Sequence, residues 1–203
     1  MTRPKGTGGK AKSLTRDEIA RLRRSLKTTT HERRNRALID LALGTGMRIG
    51  EIVSLVVKDV WDAQRHESLE EIVLERHSTK SGKSRTVAVA PFARYSIQQY
   101  LDERQQTGIL YINMLLFPSY HSIHQPMTPN GAVNVVRRLF KRASIPNASS
   151  HSFRRTHADM LRRMGVDLHI IQTQLGHSSL AMTEKYFAVD PAEIRNAINK
   201  LEV

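Results

Sequence analysis

Two hundred and three residues, 39% of them apolar, are enough for one substantial core or two small ones. Lys+Arg 32 against Asp+Glu 19 leaves a formal charge of +13, an excess that draws polyanions, nucleic acid before an anionic membrane surface. The absence of cysteine excludes disulfides, thiolate zinc sites and cysteine nucleophiles, and with no run of about 18 apolar residues and no signal-peptide core a soluble cytoplasmic protein is expected.

Residues 1–13, MTRPKGTGGKAKS, carry Arg3, Lys5, Lys10 and Lys12 without an acid. That composition suits a flexible basic arm lying along phosphates, and equally a plain solvated terminus. In LTRDEIARLRRSL, Thr15 and Glu18 have capping-box spacing, Leu14 is placed to staple onto Ile19, and Ile19, Leu22 and Leu26 form the stripe of a first helix. NRALIDLAL predicts a second helix ending at Gly44 and Gly46, after which GTGMRIGEIVSL turns into a short third, with Arg48 on the shoulder of the turn. From 56 to 90, VVKDV, EEIVLE and RTVAVA are β-branched and partly alternating, with KSGKS as a hairpin turn. Helices resume with PFARYSIQQYLDERQQ, opened by Pro91, and with TPNGAVNVVRRLFKRA, capped by Thr128. Three more follow: one from about 152 to Gly165, one from Asp167 to Gly176, and one carrying Met182, Tyr186 and Phe187. Finally DPAEIRNAINKL, with Asp190, Pro191 and Glu193 as its start signal, lines up Ile194, Ala197, Ile198 and Leu201 on one face. The expected class is α+β, mainly α-helical with a small three-stranded antiparallel sheet.

Between Asn130 and Arg163 stand eight Lys or Arg residues and one acid, Asp159, too one-sided for ion pairing within the helices. The counter-charge is expected from outside, as phosphate. His151 and Arg154 share a helix face near an N-terminus, where they can hold one phosphate, or serve as a cap and a surface residue. His177 after Gly176 can face a ligand or simply follow a C-cap. Tyr186, flanked by Met182 and Phe187, can be a packed aromatic or a nucleophile. A phenol can attack phosphorus if cations neutralise the nonbridging oxygens and a proton donor assists the leaving alcohol, and Arg48, Lys80, His151, Arg154 and His177 are suitable types for those tasks. No H-E-x-x-H is present and carboxylates are scarce around His151, His157 and His177, so neither metal nor cofactor is expected.

The order of these motifs resembles the catalytic domain of the tyrosine recombinases, the phage-integrase family, over roughly residues 14–189. GTGMRIGEI is similar to the first-arginine box and gives Arg48 and its neighbour Glu51; TKSGKSRTVAVAP resembles the hairpin of the catalytic lysine, with Lys80 matching better than Lys83. HSFRRTHADML resembles the H-x-x-R box, giving His151 and Arg154, and LGHSSLAMTEKY the last box, giving His177 and the nucleophile Tyr186. Ser152, Phe153 and Gly50 depart from the residues common there, none of which carries the chemistry. With the basic arm over 1–13, the chain divides into that arm, a catalytic domain over 14–189 and a helix over 190–203, which the resemblance suggests packs on a neighbouring protomer, the other reading being a local cover. Only the arm precedes Leu14, so the chain is similar to short single-domain members, or to a fragment lacking a core-binding domain.

What the resemblance implies is a site-specific recombinase acting on double-stranded DNA through a 3′-phosphotyrosyl intermediate, self-associating on DNA as a synaptic tetramer. In it Arg48 and Arg154 hold the phosphate, Lys80 protonates the leaving oxygen, His151 assists proton transfer and His177 donates a hydrogen bond. A type IB topoisomerase-like relaxing enzyme shares that chemistry; a non-catalytic DNA-binding regulator would keep only the fold and charge.

Overall fold

The computed structural model describes residues 11–75, 84–119, 122, 125–184, 186, 195, 198 and 199. Helix α1 (Arg16–Leu26) starts at the expected capping box, Thr15 Oγ1 accepting from Glu18 N and Glu18 Oε2 from Thr15 N. Leu22 and Leu26 are buried as expected, but Ile19 lies at the core's edge and Glu18, ion-paired with Lys12, is buried instead. Helix α2 (Glu32–Thr45) is the central element, buried without a break from Ala37 to Thr45. Its Asp40, fully buried, accepts from Arg23, Arg36 and Ser96 Oγ, the cations and hydroxyl that a carboxylate in a core requires. Helix α3 (Ile49–Val53) follows the glycine turn.

The sheet differs from the three strands expected. Strands β1 (Trp61–Asp62) and β2 (Glu67–Ser68) form one antiparallel pair, β3 (Glu71–Leu74) and β4 (Arg85–Ala88) another, running from Glu71 opposite Ala88 to Leu74 opposite Arg85. The VVKDV segment is a 3₁₀ turn over Val57–Asp59 because its donors are already taken. Asp59 Oδ2 accepts from Val56 N, and Val57 N and Lys58 N donate to the carbonyls of Met114 and Ile112. The KSGKS turn lies outside the described residues.

Helices α4 (Pro91–Gln106) and α6 (Ser150–Arg163) pack on α2, and α5 (Pro129–Arg142) covers α1 and α3. Thr128 caps α5 through Gly131 N at 3.0 Å, and Phe140 of α5 stacks on Phe153 of α6 at 5.1 Å. Helix α7 (Leu168–Leu175) is capped by Asp167 and closed by Gly176, and α8 (Leu180–Glu184) ends before Tyr186. Of the expected last helix, Arg195 and Ile198 are helical, Asn199 N donates to the Arg195 carbonyl at 3.0 Å, and the remainder lies outside the described residues, as does the basic arm except residues 11–13. No helix among the described residues is long and apolar enough to cross a membrane.

Two cores result. The main one runs through α1 to α6, while Ala158, Ile171 and Leu175 form a small one between α6 and α7, with Tyr186 packed against it. Gly46 sits at their junction with φ +66°, and a Cβ there would come within 2.7 Å of both His157 and Leu175. Gly165 has a similar φ of +77° but open space around it. Gly165→Ala is therefore expected to cost about 1–2 kcal/mol for the left-handed backbone alone. Gly46→Ala adds about 1–3 kcal/mol for overpacking. Urea unfolding of the two variants measures the difference, and equal losses would show that the junction can relax around a methyl group.

Candidate active site

Arg154 enters the site from the interior. Its side chain emerges from α6 and donates through Nη1 to the Gly46 carbonyl at 2.8 Å and through Nη2 to the Leu175 carbonyl at 2.7 Å. These oxygens belong to the ends of α2 and α7, where unsatisfied carbonyls and the negative ends of the helix dipoles favour a cation. Burial pushes the guanidinium down to about 10, the nearby Arg48 charge acts in the same direction, and the Tyr186 phenol opposes both. Arg154 stays charged at neutral pH.

Arg48 caps α3 in an extended conformation set by the turn before it. Glu51, one helical turn on, accepts from Arg48 N at 2.9 Å and from Arg48 Nη1 at 3.0 Å. The same carboxylate takes a bidentate pair from Arg85 Nη1 and Nη2, at 3.2 and 2.9 Å. Burial pushes the Glu51 carboxyl up, but the Arg85 and Arg48 hydrogen bonds and charges outweigh it and hold it below the usual range. Arg85 cancels the acid's charge, so Arg48 keeps its positive charge for a ligand. Sequence reasoning did not single out Arg85. The signal available was period two along β4, which puts Arg85 on the inward face with buried Val87.

His177 follows the left-handed Gly176, whose Cα is pressed against the Arg85 side chain. Its Nδ1 lies 2.7 Å from Thr183 Oγ1, and its ring centroid is 5.4 Å from that of Tyr186. Burial and the Arg154, Arg48 and Arg85 charges push it down to about 4, so it is neutral at physiological pH. Tyr186 is half-buried, with its carbonyl accepting from Arg155 Nη2 at 3.2 Å and its N–H bonded to the Thr183 carbonyl. His151 is exposed on the first turn of α6. Arg48, His151, Arg154, His177 and Tyr186 thus line one open cleft of about 360 Å³, with Gly176, Ser178 and Met182 completing it. Lys80 lies outside the described residues. Among the described residues no three His, Cys, Asp or Glu are grouped to hold a metal.

The basic cluster is partly satisfied from within, contrary to the sequence reading. Asp159 pairs with Arg162 and Arg163, Arg142 donates to the Ser25 and Thr28 carbonyls, and Arg155 donates to Ala11 and Tyr186. Backbone carbonyls were invisible as counter-charges because the pattern counts only carboxylates. Arg137, Arg138 and Lys141 remain exposed on α5.

Residues 12–193 match the family model described as the phage integrase family. The chain belongs to the phage integrase family. It is 30% identical to Transposase A from transposon Tn554 of Staphylococcus aureus over 178 residues, 84% of this chain and 48% of that protein. It is 26% identical to tyrosine recombinase XerA of Pyrococcus horikoshii over all of this chain and 66% of XerA. This integrase-family chain therefore spans between about half and two thirds of these relatives. Among solved structures it is similar to a XerA recombinase, at 28% identity and a TM-score of 0.74 over 95% of this chain and 66% of that one. A XerH site-specific recombinase bound to its difH substrate matches at 26% identity and a TM-score of 0.71, over 94% and 54%.

The histidines also set a pH dependence of stability. His157, weighed above as a ligand, is buried behind Gly46; its Nδ1 donates to the Leu43 carbonyl at 2.8 Å. Burial holds it at about 4, against an ordinary 6.5. Above pH 6.5 it is neutral in both folded and unfolded chains, and below that the unfolded chain binds the extra proton. Its stability contribution is therefore intact above pH 6.5 and lost as pH falls toward 4, by about 3 kcal/mol. Urea titrations from pH 7 to 4.5 are expected to show this decline, and His157→Phe to flatten it. An unchanged slope in the variant would assign the decline to other groups.

Proposed function

We propose that this chain is the catalytic domain of a site-specific DNA recombinase that cuts and rejoins double-stranded DNA through a 3′-phosphotyrosyl intermediate. The observation that carries the reading is that the Tyr186 side chain lines one cleft with the buried Arg154 guanidinium, Arg48 and His177. A phenol alone is a weak nucleophile, whereas one beside a fixed cation sits where a phosphate would bind. In this reading Arg154 and Arg48 hold the nonbridging oxygens and meet the charge that develops in the transition state. The Tyr186 oxygen bonds to phosphorus as the bond to the 5′-oxygen breaks, with His151 assisting removal of the phenol proton. Lys80 protonates the departing 5′-oxygen, and His177 donates to the phosphate. Attack by a partner strand's 5′-hydroxyl reverses the step, and the bond energy is conserved in the adduct.

Self-association on DNA, as a synaptic tetramer, belongs to the same proposal. Its support is apolar surface around the end of the domain: Met160 and Met164, one turn apart on α6, Ile170 on α7 and Ile198 in the tail are all exposed.

On a nicked suicide substrate the wild type is expected to form a denaturant-resistant adduct and Tyr186→Phe none, with noncovalent DNA binding retained. An adduct surviving in the variant would remove Tyr186 as nucleophile, and no adduct with wild type would favour a non-catalytic DNA-binding role. Supercoil relaxation without two-site recombination would point instead to a type IB topoisomerase-like activity.

The role of Lys80 is testable by changing the leaving group. Sulfur in place of the bridging 5′-oxygen leaves as a thiolate, whose acid has a pKa near ~8.5 if it behaves like cysteine, and needs no proton donor. Lys80→Ala is expected to slow cleavage of ordinary DNA by about 10²- to 10⁴-fold and to recover on the sulfur substrate. Arg48→Ala should not recover, since the swap leaves its oxygens untouched. Rescue of Lys83→Ala in place of Lys80→Ala would shift the hairpin's register and reassign the acid.

A further inference from the structure

We infer that Thr183 fixes His177 in the tautomer with its proton on Nε2, making the imidazole a committed hydrogen-bond donor toward the cleft and Thr183 a positioning residue for the reaction. The inference rests on the proposal above that His177 donates to the scissile phosphate, and concerns how that donor is held.

The argument starts from the hydroxyl. Thr183 lies in α8 and is fully buried, so no water can take its hydrogen. Among the described residues its Oγ1 has one partner, Nδ1 of His177 at 2.7 Å. A neutral imidazole has one donor and one acceptor nitrogen, whereas a hydroxyl can act as either. Were Nδ1 protonated, it would donate to Oγ1 and leave the threonine hydrogen buried without an acceptor, at a cost of about 1–3 kcal/mol. With the lone pair on Nδ1, the hydroxyl donates to it and both groups are satisfied. The proton then resides on Nε2, the nitrogen left for the cleft that His177 lines with Arg48, Arg154 and Tyr186. The opposite tautomer would present a lone pair to the anion that those arginines are arranged to attract.

Two further contacts fix the backbone that carries the ring. The His177 backbone is tied to Gln172 in both directions, its N–H donating to the Gln172 carbonyl and its carbonyl accepting from Gln172 Nε2, each at 3.1 Å. The ring stays neutral because burial and three guanidinium charges disfavour a second proton, so a single nitrogen carries the donor. Thr183 also reaches the nucleophile: its carbonyl accepts the Tyr186 N–H at 3.0 Å. One residue therefore holds the side chain of the donor and the backbone of the attacking group, and it fixes their relative placement.

Long-range ¹⁵N NMR on the full chain labelled at its nine histidines tests the assignment, the His177 signals being identified by their loss in His177→Gln. In wild type, His177 is expected to show a protonated Nε2 and an unprotonated Nδ1. Thr183→Val, nearly isosteric but without the hydroxyl, is expected to mix the tautomers. At saturating DNA it should slow single-turnover cleavage by about tenfold or more, short of the ~10²–10³ for losing a preorganised donor outright, with DNA affinity unchanged. Thr183→Ser is expected to restore both signals. A wild-type spectrum with the proton on Nδ1 overturns the inference, and it needs no variant to fold. So does a Thr183→Val protein that keeps the wild-type tautomer and rate. If wild type forms no adduct at Tyr186, the recombinase reading fails by that result, while the spectrum still decides the tautomer.

Discussion

A guanidinium buried between two helix ends is the constraint around which this domain is built. Withdrawing a charge from water costs several kcal/mol even after relaxation. Arg154 recovers that cost from the Gly46 and Leu175 carbonyls, which would otherwise lack partners where α2 and α7 stop. The arrangement requires both helices to end at the same point in space. Gly46 supplies the left-handed turn and the missing side chain that let α7 and His157 close against it. Gln174 completes the junction, donating through Nε2 to the Thr45 and Ala88 carbonyls and accepting from Ala88 N, so α2, α7 and β4 are stitched together. The cation is thus a structural tie whose remaining face is presented to the cleft.

Glu51 plays the complementary part. One carboxylate beside two guanidiniums, Arg48 and Arg85, leaves a net positive charge while accepting from Arg48 Nη1 and from both Nη atoms of Arg85. Without Arg85 the acid would be balanced by Arg48 alone, and the pair would offer a ligand little net charge. Arg85, at the start of β4, ties that strand through Glu51 to Arg48 at the head of α3.

Where local chemistry decided the outcome, the sequence was a sufficient guide. Thr15 with Glu18, Thr128 before Pro129, Asp167, Gly46 and Gly176 each mark a helix boundary through a group that acts within four residues. Periodicity failed where a distant partner intervened. VVKDV has the residues of a strand, yet the Met114 and Ile112 carbonyls, more than fifty residues on, claim its donors and leave a 3₁₀ turn. Ile19 fits the apolar stripe of α1, yet Glu18 is the residue buried, because Lys12 brings a counter-charge to it. At the site, residue types alone left other readings open for His151, Arg154, His177 and Tyr186; the motif resemblance assigned them with Arg48, and the five line one cleft. The same reasoning passed over Arg85 and Thr183, whose partners are set by tertiary contact. It also took eight cations for a DNA-facing set, although five of them are bonded to groups of the chain itself.

The two halves of the cleft are held with unequal strength, and that inequality bears on how such a site would act. Arg48 and Arg154 are anchored to the large core through α2, α3 and α6. Tyr186 rests on a core of three fully buried residues, and among the described residues its backbone is tied to the Thr183 carbonyl and to Arg155. Local opening free energies scale with such contacts, and those described for Tyr186 are fewer than those that anchor the two arginines. Withdrawing Tyr186 would leave the Arg154 ties to Gly46 and Leu175 intact, and with them the phosphate clamp. His177 sits on the boundary, its backbone fixed to α7 through Gln172 and its ring to α8 through Thr183. In the proposed reaction, a movement of α8 that withdraws Tyr186 would also withdraw the Thr183 hydroxyl that holds His177, so that attack and hydrogen-bond donation would be gained or lost together.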